Sequence, residues 1–336
     1  MNYTCTDVDD YMVLSFFTIG GILAIIGTIL NVCSCLLFFR AKSLHKTPYG
    51  TFIIALSIAD ILKLSAEYLM HIIILYTSNP YVVCSITWFL TLASENLSYS
   101  FLCALGIERN LKVWITDRRY LITRRRASII TLCIIIFVCI HDHPYLFVPY
   151  DVSYCYLKLY NYSILFSCDN AYYKAYTITY SLTDLIFIES VGLNNLVLPI
   201  VIISTNIILI FGLRRRAYQR RHRLGTRKHD DWREQSVILY VLLSSMTFLF
   251  LTAPTGILNG WSAIYNQKMA TNNLAIMLEL LEILHHCSHF PILLMTSSVI
   301  RTKTFQILFH PRESRRNSLN SRASSKLRVR SISSSQ

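Results

Sequence analysis

The chain has 336 residues, of which 53% are hydrophobic and only 15% charged, with a formal net charge of +13 and a mean hydropathy of +0.43. A soluble domain carries about 25% charged residues. This composition therefore excludes an ordinary soluble enzyme or binding module and points to an integral membrane protein. The positive charge is not a nucleic-acid signature, because it falls in short segments between long apolar runs.

The start, MNYTCTDVDDYM, is acidic and polar, unlike the basic and then apolar opening of a cleavable signal peptide. Seven apolar runs follow, each long enough to cross a bilayer. Their limits are roughly 14–39, 48–76, 85–115, 127–149, 188–213, 235–259 and 273–299. A spanning backbone has to satisfy its own hydrogen bonds in lipid, which predicts helices, and the alternating short segments of a membrane barrel are not found. Asp142, His143 and Pro144 interrupt the second half of the fourth run. The seventh is the most polar, with Glu279, Glu282, His285, His286 and His289.

Orientation follows from the basic residues. Of the 32 lysines and arginines, all but Lys63, Lys158, Lys174 and Lys268 fall after run one, from Arg109 at the inner end of run three onward, after run five or in the tail. Basic residues stay on the cytoplasmic side, so the N-terminus is expected outside and the tail inside. The third run is a ruler between the two faces. As a helix, the steps from Cys84 to Arg109 rise about 37 Å, against a hydrocarbon core of about 30 Å.

The expected organisation is an extracellular segment 1–13, a helix bundle 14–300, a short amphipathic membrane-surface helix 301–311 and a disordered tail 312–336. Phe305, Leu308 and Phe309 share one face of the surface helix, and the tail is rich in serine and arginine. The sequons at Asn2 and Asn161 lie in outside segments. A third, at Asn96, lies within a span, where it is out of reach of glycosylation. Cys5, Cys84, Cys155 and Cys168 fall outside, in an oxidising compartment. The cysteines within the runs read as small buried apolar residues.

Charged residues inside spans are candidate functional residues, because each costs several kcal/mol unless it is partnered. Asp60 sits deep in the second run. Lys63 and Glu67 are four apart on the same helix and read as an ion pair. Glu95, in the middle of the third run, is either an unpaired acid that attracts a cationic ligand or the partner of Lys63, and the sequence leaves both open. Arg109 stands where the third run meets the cytosol, beside Glu108. The outside is acidic, with Glu189, Glu279 and Glu282 near outer helix ends. The second outer loop is crowded with tyrosines, which suits a basic ligand through steering and cation–π contact.

Together these residues resemble the rhodopsin-like (class A) G-protein-coupled receptors. The resemblance is carried by Asn31 in GTILN, Asp60 in LSIAD, Cys84 at its spacing from Glu108-Arg109-Asn110, and the prolines Pro199, Pro254 and Pro291. The segments HKTPYGTFIIALSIADIL and VLPIVIISTNIILI are loosely similar to invertebrate FMRFamide-type peptide receptors. The resemblance implies an all-α seven-transmembrane helix bundle in the plasma membrane, and a receptor rather than an enzyme. It implies a G-protein switch at Glu108 and Arg109, and a disulfide from Cys84 to Cys168, with Cys155 as the other possible partner. It further implies a polar core of Asn31, Asp60 and Ser98 with a sodium ion near Asp60, and a ligand site near Thr91, Glu95 and Glu67. The family's helix-seven asparagine is replaced by Phe290, so His286, one turn earlier, is an alternative partner for Asp60.

Other departures are Thr252 where the family's helix-six tryptophan stands, Leu294 in place of the helix-seven tyrosine, and Ile207 where helix five commonly has a tyrosine. Helix four also lacks its usual tryptophan, whereas Phe248 is retained. They leave the usual activation relay without its partners. Thr91 occupies the place of the amine-receptor aspartate, and the seventh run has no lysine for a retinal Schiff base. These two features exclude a classical monoamine receptor and an opsin.

The expected partners are an extracellular peptide, most simply a cationic neuropeptide, and a heterotrimeric G protein. Receptor kinases and arrestin are expected at the tail, and anionic lipid at the basic loops. A chemosensory receptor for a small molecule or lipid is the alternative. A transporter or an intramembrane enzyme is the rival of a different class. The chain shows no internal repeat and no HExxH motif, and the helically spaced His285 and His289 are its nearest approach to a ligand pair.

Overall fold

The computed structural model describes residues 15–76, 80–115, 121–147, 150–157, 162–170, 197–222, 228–258 and 273–309. Helix α1 (Gly21–Arg40) is entered through a π-turn at Phe16–Gly20 and followed by a short helical turn, Lys42–His45. Then come α2 (Pro48–Tyr76), α3 (Pro80–Trp114), α4 (Arg124–Asp142), strands β1 (Tyr150–Leu157) and β2 (Tyr162–Asn170), α5 (Leu198–His222), α6 (Lys228–Leu251), α7 (Asn273–Thr296) and α8 (Ser298–Phe309). The helices close a ring. α1 packs on α2 and α7, α3 on α2, α4, α5 and α6, and α6 on α5 and α7.

The local chemistry explains the boundaries. α2 opens at Pro48, whose missing N–H is an orphan at any helix start, and the Thr47 hydroxyl accepts from Gly50 N at 3.0 Å. Thr123 caps α4 in the same way, accepting from Arg126 N at 3.3 Å. α4 stops at Asp142 rather than running to residue 149. Pro144 cannot continue the α-helical ladder, and a 3-10 turn, His143–Leu146, takes over. In α6 the regular helix ends at Leu251 and resumes past Thr252, where Pro254 removes a backbone donor. Pro291 lies inside α7, and Pro199 is the second residue of α5.

Five of these helices are long and apolar enough to cross a membrane, and the α7–α8 pair, bent by 101°, makes a sixth. α3 is less apolar because Ser94, Asn96 and Ser98 lie at its middle, but all three are buried against neighbouring helices and none faces lipid. The outer surface of the bundle is the reverse of a soluble protein's. Ile25, Ile29, Phe137, Ile140, Ile200, Phe211 and Phe250 stand exposed, as lipid contact requires.

The largest core lies toward the cytoplasmic side and includes Phe38, Phe52, Leu105, Val113, Tyr240 and Leu293. A smaller outer cluster joins α1, α2 and α7 through Ala24, Leu64, Ile283 and Cys287. Gly27 belongs to that contact. A methyl group there would run into Cys287 and come within 2.8 Å of Leu64, so only glycine lets α1 approach α7.

Several expectations change. Expected helix limits shift at most spans, and α6 begins about two turns further into the cytoplasmic side than the apolar run suggests. The terminal helix starts at Ser298 rather than 301 and bends sharply off α7. The Arg301 guanidinium donates at 2.8 Å to both the Leu294 and Met295 carbonyls, closing the C-terminal end of α7. The second outer segment contains an antiparallel hairpin, with an irregularity between Ser153 and Tyr154. Asn2, Asn161, Glu189 and the tail lie outside the described residues.

Candidate functional site

Three polar sites stack along α3, and each joins it to a different set of neighbours. The outermost is centred on Lys63 of α2. Its Nζ lies 2.7 Å from Glu282 Oε1 on α7, 3.0 Å from Glu95 Oε2 on α3 and 3.7 Å from Glu67 Oε2 on α2. All four side chains are at most 15% exposed.

The expected Lys63–Glu67 pair is thus present but is the longest of the three. Glu95 is not an unpaired acid, and it shares the ammonium with Glu282. The reason is geometric. The lysine stem reaches across the bundle, whereas its i,i+4 neighbour can meet it only along the helix surface. Glu282, expected near an outer helix end, is inside the cluster. Glu279, one turn further out, is exposed, and Thr91, one turn outward of Glu95, is half-buried.

The charge count matters more than any single pair. Three carboxylates face one ammonium. Taking an ion out of water costs several kcal/mol, and one pair at about 4 Å returns about 4 kcal/mol at an effective dielectric of about 20. One ammonium balances one of the three acids, which leaves the other two carboxyl groups without a base of their own.

The middle site is centred on Asp60, which is fully buried. Ser98 Oγ donates to Asp60 Oδ1 at 2.7 Å, and His286 Nδ1 donates to the same oxygen at 2.8 Å. His289 Nε2 lies 3.7 Å from Oδ2. Asn31 donates to the His286 carbonyl at 3.0 Å, tying α1 to α7 at this level. The expected group of Asn31, Asp60, Ser98 and His286 is therefore brought together, and His289 joins it.

An aromatic layer lies against this core. Tyr99 stacks on His286 with ring centroids 6.0 Å apart and meets Phe248 edge-on at 4.7 Å, and Phe248 in turn meets His285 at 5.6 Å. Imidazoles occupy this level beside Thr252, which is itself buried where the family's tryptophan is expected. The alkali ion that the resemblance implies does not fit this donor set. Imidazole nitrogens approach both oxygens of Asp60, and a hard monovalent cation needs a shell of oxygens. Among the described residues, no group of three or more His, Cys, Asp or Glu is arranged to hold a metal ion.

The inner site is the Glu108–Arg109 pair, with Oε2 to Nε at 2.5 Å and both residues about 5% exposed or less. The Arg109 guanidinium lies over the ring of Tyr49, 5.2 Å from its centroid, and Tyr49 meets Tyr240 of α6 edge-on at 6.3 Å. Asn110 donates to the Thr205 carbonyl at 2.8 Å and Trp114 to that of Ile208 at 3.2 Å, fixing the end of α3 against α5. Around this end, Arg124, Arg125 and Arg126 and then Arg214 and Arg215 are exposed.

One buried charge was not recognised as a partner in the sequence. Asp142, read there as an interruption of the fourth run, is fully buried. Asn96 donates to both its oxygens, at 3.2 and 3.0 Å, and His141 Nδ1 approaches at 2.7 Å. Asn96 thus fixes α3 to α4. The available signal was that two polar residues, Asn96 and Asp142, fall at similar depth in consecutive spans.

The family described as 7 transmembrane receptor (rhodopsin family) has a sequence model that matches residues 30–294. No curated protein matches the chain.

Proposed function

The chain belongs to the rhodopsin family of seven-transmembrane receptors, and from that premise we propose that its ligand is a cationic molecule, most simply a basic neuropeptide of the invertebrate FMRFamide-like class. The coarser function follows from the family. This is a multi-pass membrane receptor that takes an extracellular ligand and activates a heterotrimeric G protein, and it is not an enzyme.

The observation that carries the ligand proposal is the excess of buried carboxylate around Lys63. A ligand ammonium or guanidinium competes with Lys63 for Glu95, Glu67 and Glu282, and Thr91 and Glu279 stand further out along the same helices. Glu189 and the acidic outer segments steer such a ligand in. A second reading, a lipid or small apolar ligand, is favoured by a separate recess of about 390 Å³. It is lined by Phe52, Cys103, Ile107, Ile130 and Val201 between α2, α3, α4 and α5.

On the inner face the proposal assigns Glu108 and Arg109 the role of the switch. The Tyr49 ring over Arg109, backed edge-on by Tyr240, supplies the resting contact that Ile207 and Leu294 cannot make. Cys84 is engaged in a disulfide, and we assign its partner as Cys168 in preference to Cys155. Strand β1 packs against α3 and β2 against α2, which brings the hairpin to this end of the bundle. Glycosylation at Asn2 and Asn161, kinase and arrestin action on the tail, and contact of the basic inner loops with anionic lipid complete the proposal.

The test is a peptide-library screen on cells carrying the full chain and a promiscuous G protein. Basic peptides are expected among the agonists, and Glu95→Gln is expected to lower their potency at least tenfold. Unchanged potency in that variant rejects the cluster as the ligand's seat.

A further inference from the structure

A buried carboxylate demands a positive or strongly donating partner, and for Asp60 the chain supplies one from its own seventh helix. We propose that the His286 imidazole takes the seat that an alkali ion would fill, so that the contact between α2 and α7 is held by a side chain and does not respond to sodium.

The first support is the occupancy of one carboxylate oxygen. Oδ1 already receives the Ser98 hydroxyl at 2.7 Å and the His286 N–H at 2.8 Å, while Oδ2 accepts no hydrogen bond and has the His289 ring 3.7 Å away. The second is the donor set. Phe290, 4% exposed, stands one helical turn beyond His286 and offers no oxygen, and the groups that approach Asp60 from α7 are both imidazoles. Imidazole suits soft and borderline metals, whereas hard cations are held by carboxylate, carbonyl and water oxygens.

The third support is that His286 is fixed from two sides. Its main-chain carbonyl accepts from Asn31 at 3.0 Å, and its ring lies nearly parallel to that of Tyr99, at an interplanar angle of 16°. A donor positioned in this way has lost its rotamer freedom before it meets Asp60, and as part of the chain it is present at high effective concentration. A free ion competes poorly against such a partner, whatever the salt outside. The proposal concerns the resting bundle alone and is independent of the ligand's identity.

The experiment is a thermal-melting series on the purified full chain. Sodium chloride is exchanged for N-methylglucamine chloride at constant ionic strength, and the same series is run on His286→Asn with Phe290→Asn. The wild type is expected to melt within about 1 °C across the series. The double variant, which returns amide oxygens to the seat, is expected to gain about 3 °C or more in sodium. A wild-type rise of that size in sodium overturns the proposal, and this result needs no variant to fold. A double variant that folds but stays indifferent to sodium also overturns it, since the imidazole would then not be what excludes the ion.

Discussion

The outer and inner charged sites of the bundle are built on opposite plans. Around Lys63, one base from α2 meets acids from α2, α3 and α7, so the site is heterogeneous in origin and unbalanced in charge. At Arg109, base and acid are adjacent on one helix, balanced one to one, with an aromatic ring closing the guanidinium's face. The outer arrangement holds helices together while leaving two carboxyl groups without a base of their own. The inner one pairs its cation within a single helix, and Tyr240 of α6 reaches it only through the ring of Tyr49. That division suits a receptor whose ligand arrives at one end and whose transducer docks at the other.

The largest expected effect tests the imbalance. Lys63→Met leaves three buried carboxylates without their base, and stability is expected to fall by about 3–5 kcal/mol, read as a large drop in the melting temperature of purified receptor. A melting temperature near the wild type's would break the comparison, because the acids would then not depend on the lysine.

Next is the inner pair. Glu108→Gln removes the balancing charge and frees Arg109, and basal G-protein activation is expected to rise about tenfold in a nucleotide-exchange assay, a free-energy change of about 1.4 kcal/mol. Tyr49→Leu keeps the ion pair but removes the ring. A cation–π contact contributes about 0.5–1 kcal/mol at exposed sites and about 2 kcal/mol when desolvated; because the Glu108 carboxylate still holds the guanidinium in this variant, basal activity is expected to rise only about threefold. If Tyr49→Leu exceeded Glu108→Gln, the aromatic clasp and not the carboxylate would be the main restraint. The smallest effect sharpens the outer site. Glu279→Gln, at an exposed position where the side chain hydrogen-bonds to Glu67 and the amide can keep that bond, is expected to change stability by less than about 0.5 kcal/mol.

Much of this was legible from residue types and spacing. Membrane spans announce themselves by length and apolarity, since lipid admits only backbones that bond internally. The basic loops oriented the bundle before any contact was known, and the family resemblance grouped Asp60 with Ser98 and offered His286, one turn before Phe290, as a partner. The middle of α3 was harder. Its serines and asparagine lower its hydropathy, yet they are the residues that other helices bury. Asn96 looked like an unreachable sequon, and its partnership with Asp142 depends on how far α3 and α4 are rotated about their own axes.

The sequence by itself determined the number of spans, their direction and the depth of each charge, because these depend on one helix against one solvent. Only the tertiary structure decided which charges meet. It put Glu282 rather than Glu67 closest to Lys63, His286 and His289 on Asp60, and Tyr49 over Arg109. Those partners come from helices distant in the chain. Their contacts are fixed by rotation, tilt and close approach, such as the one Gly27 permits between α1 and α7. Packing sets these quantities for the whole bundle at once, and hydropathy does not encode them.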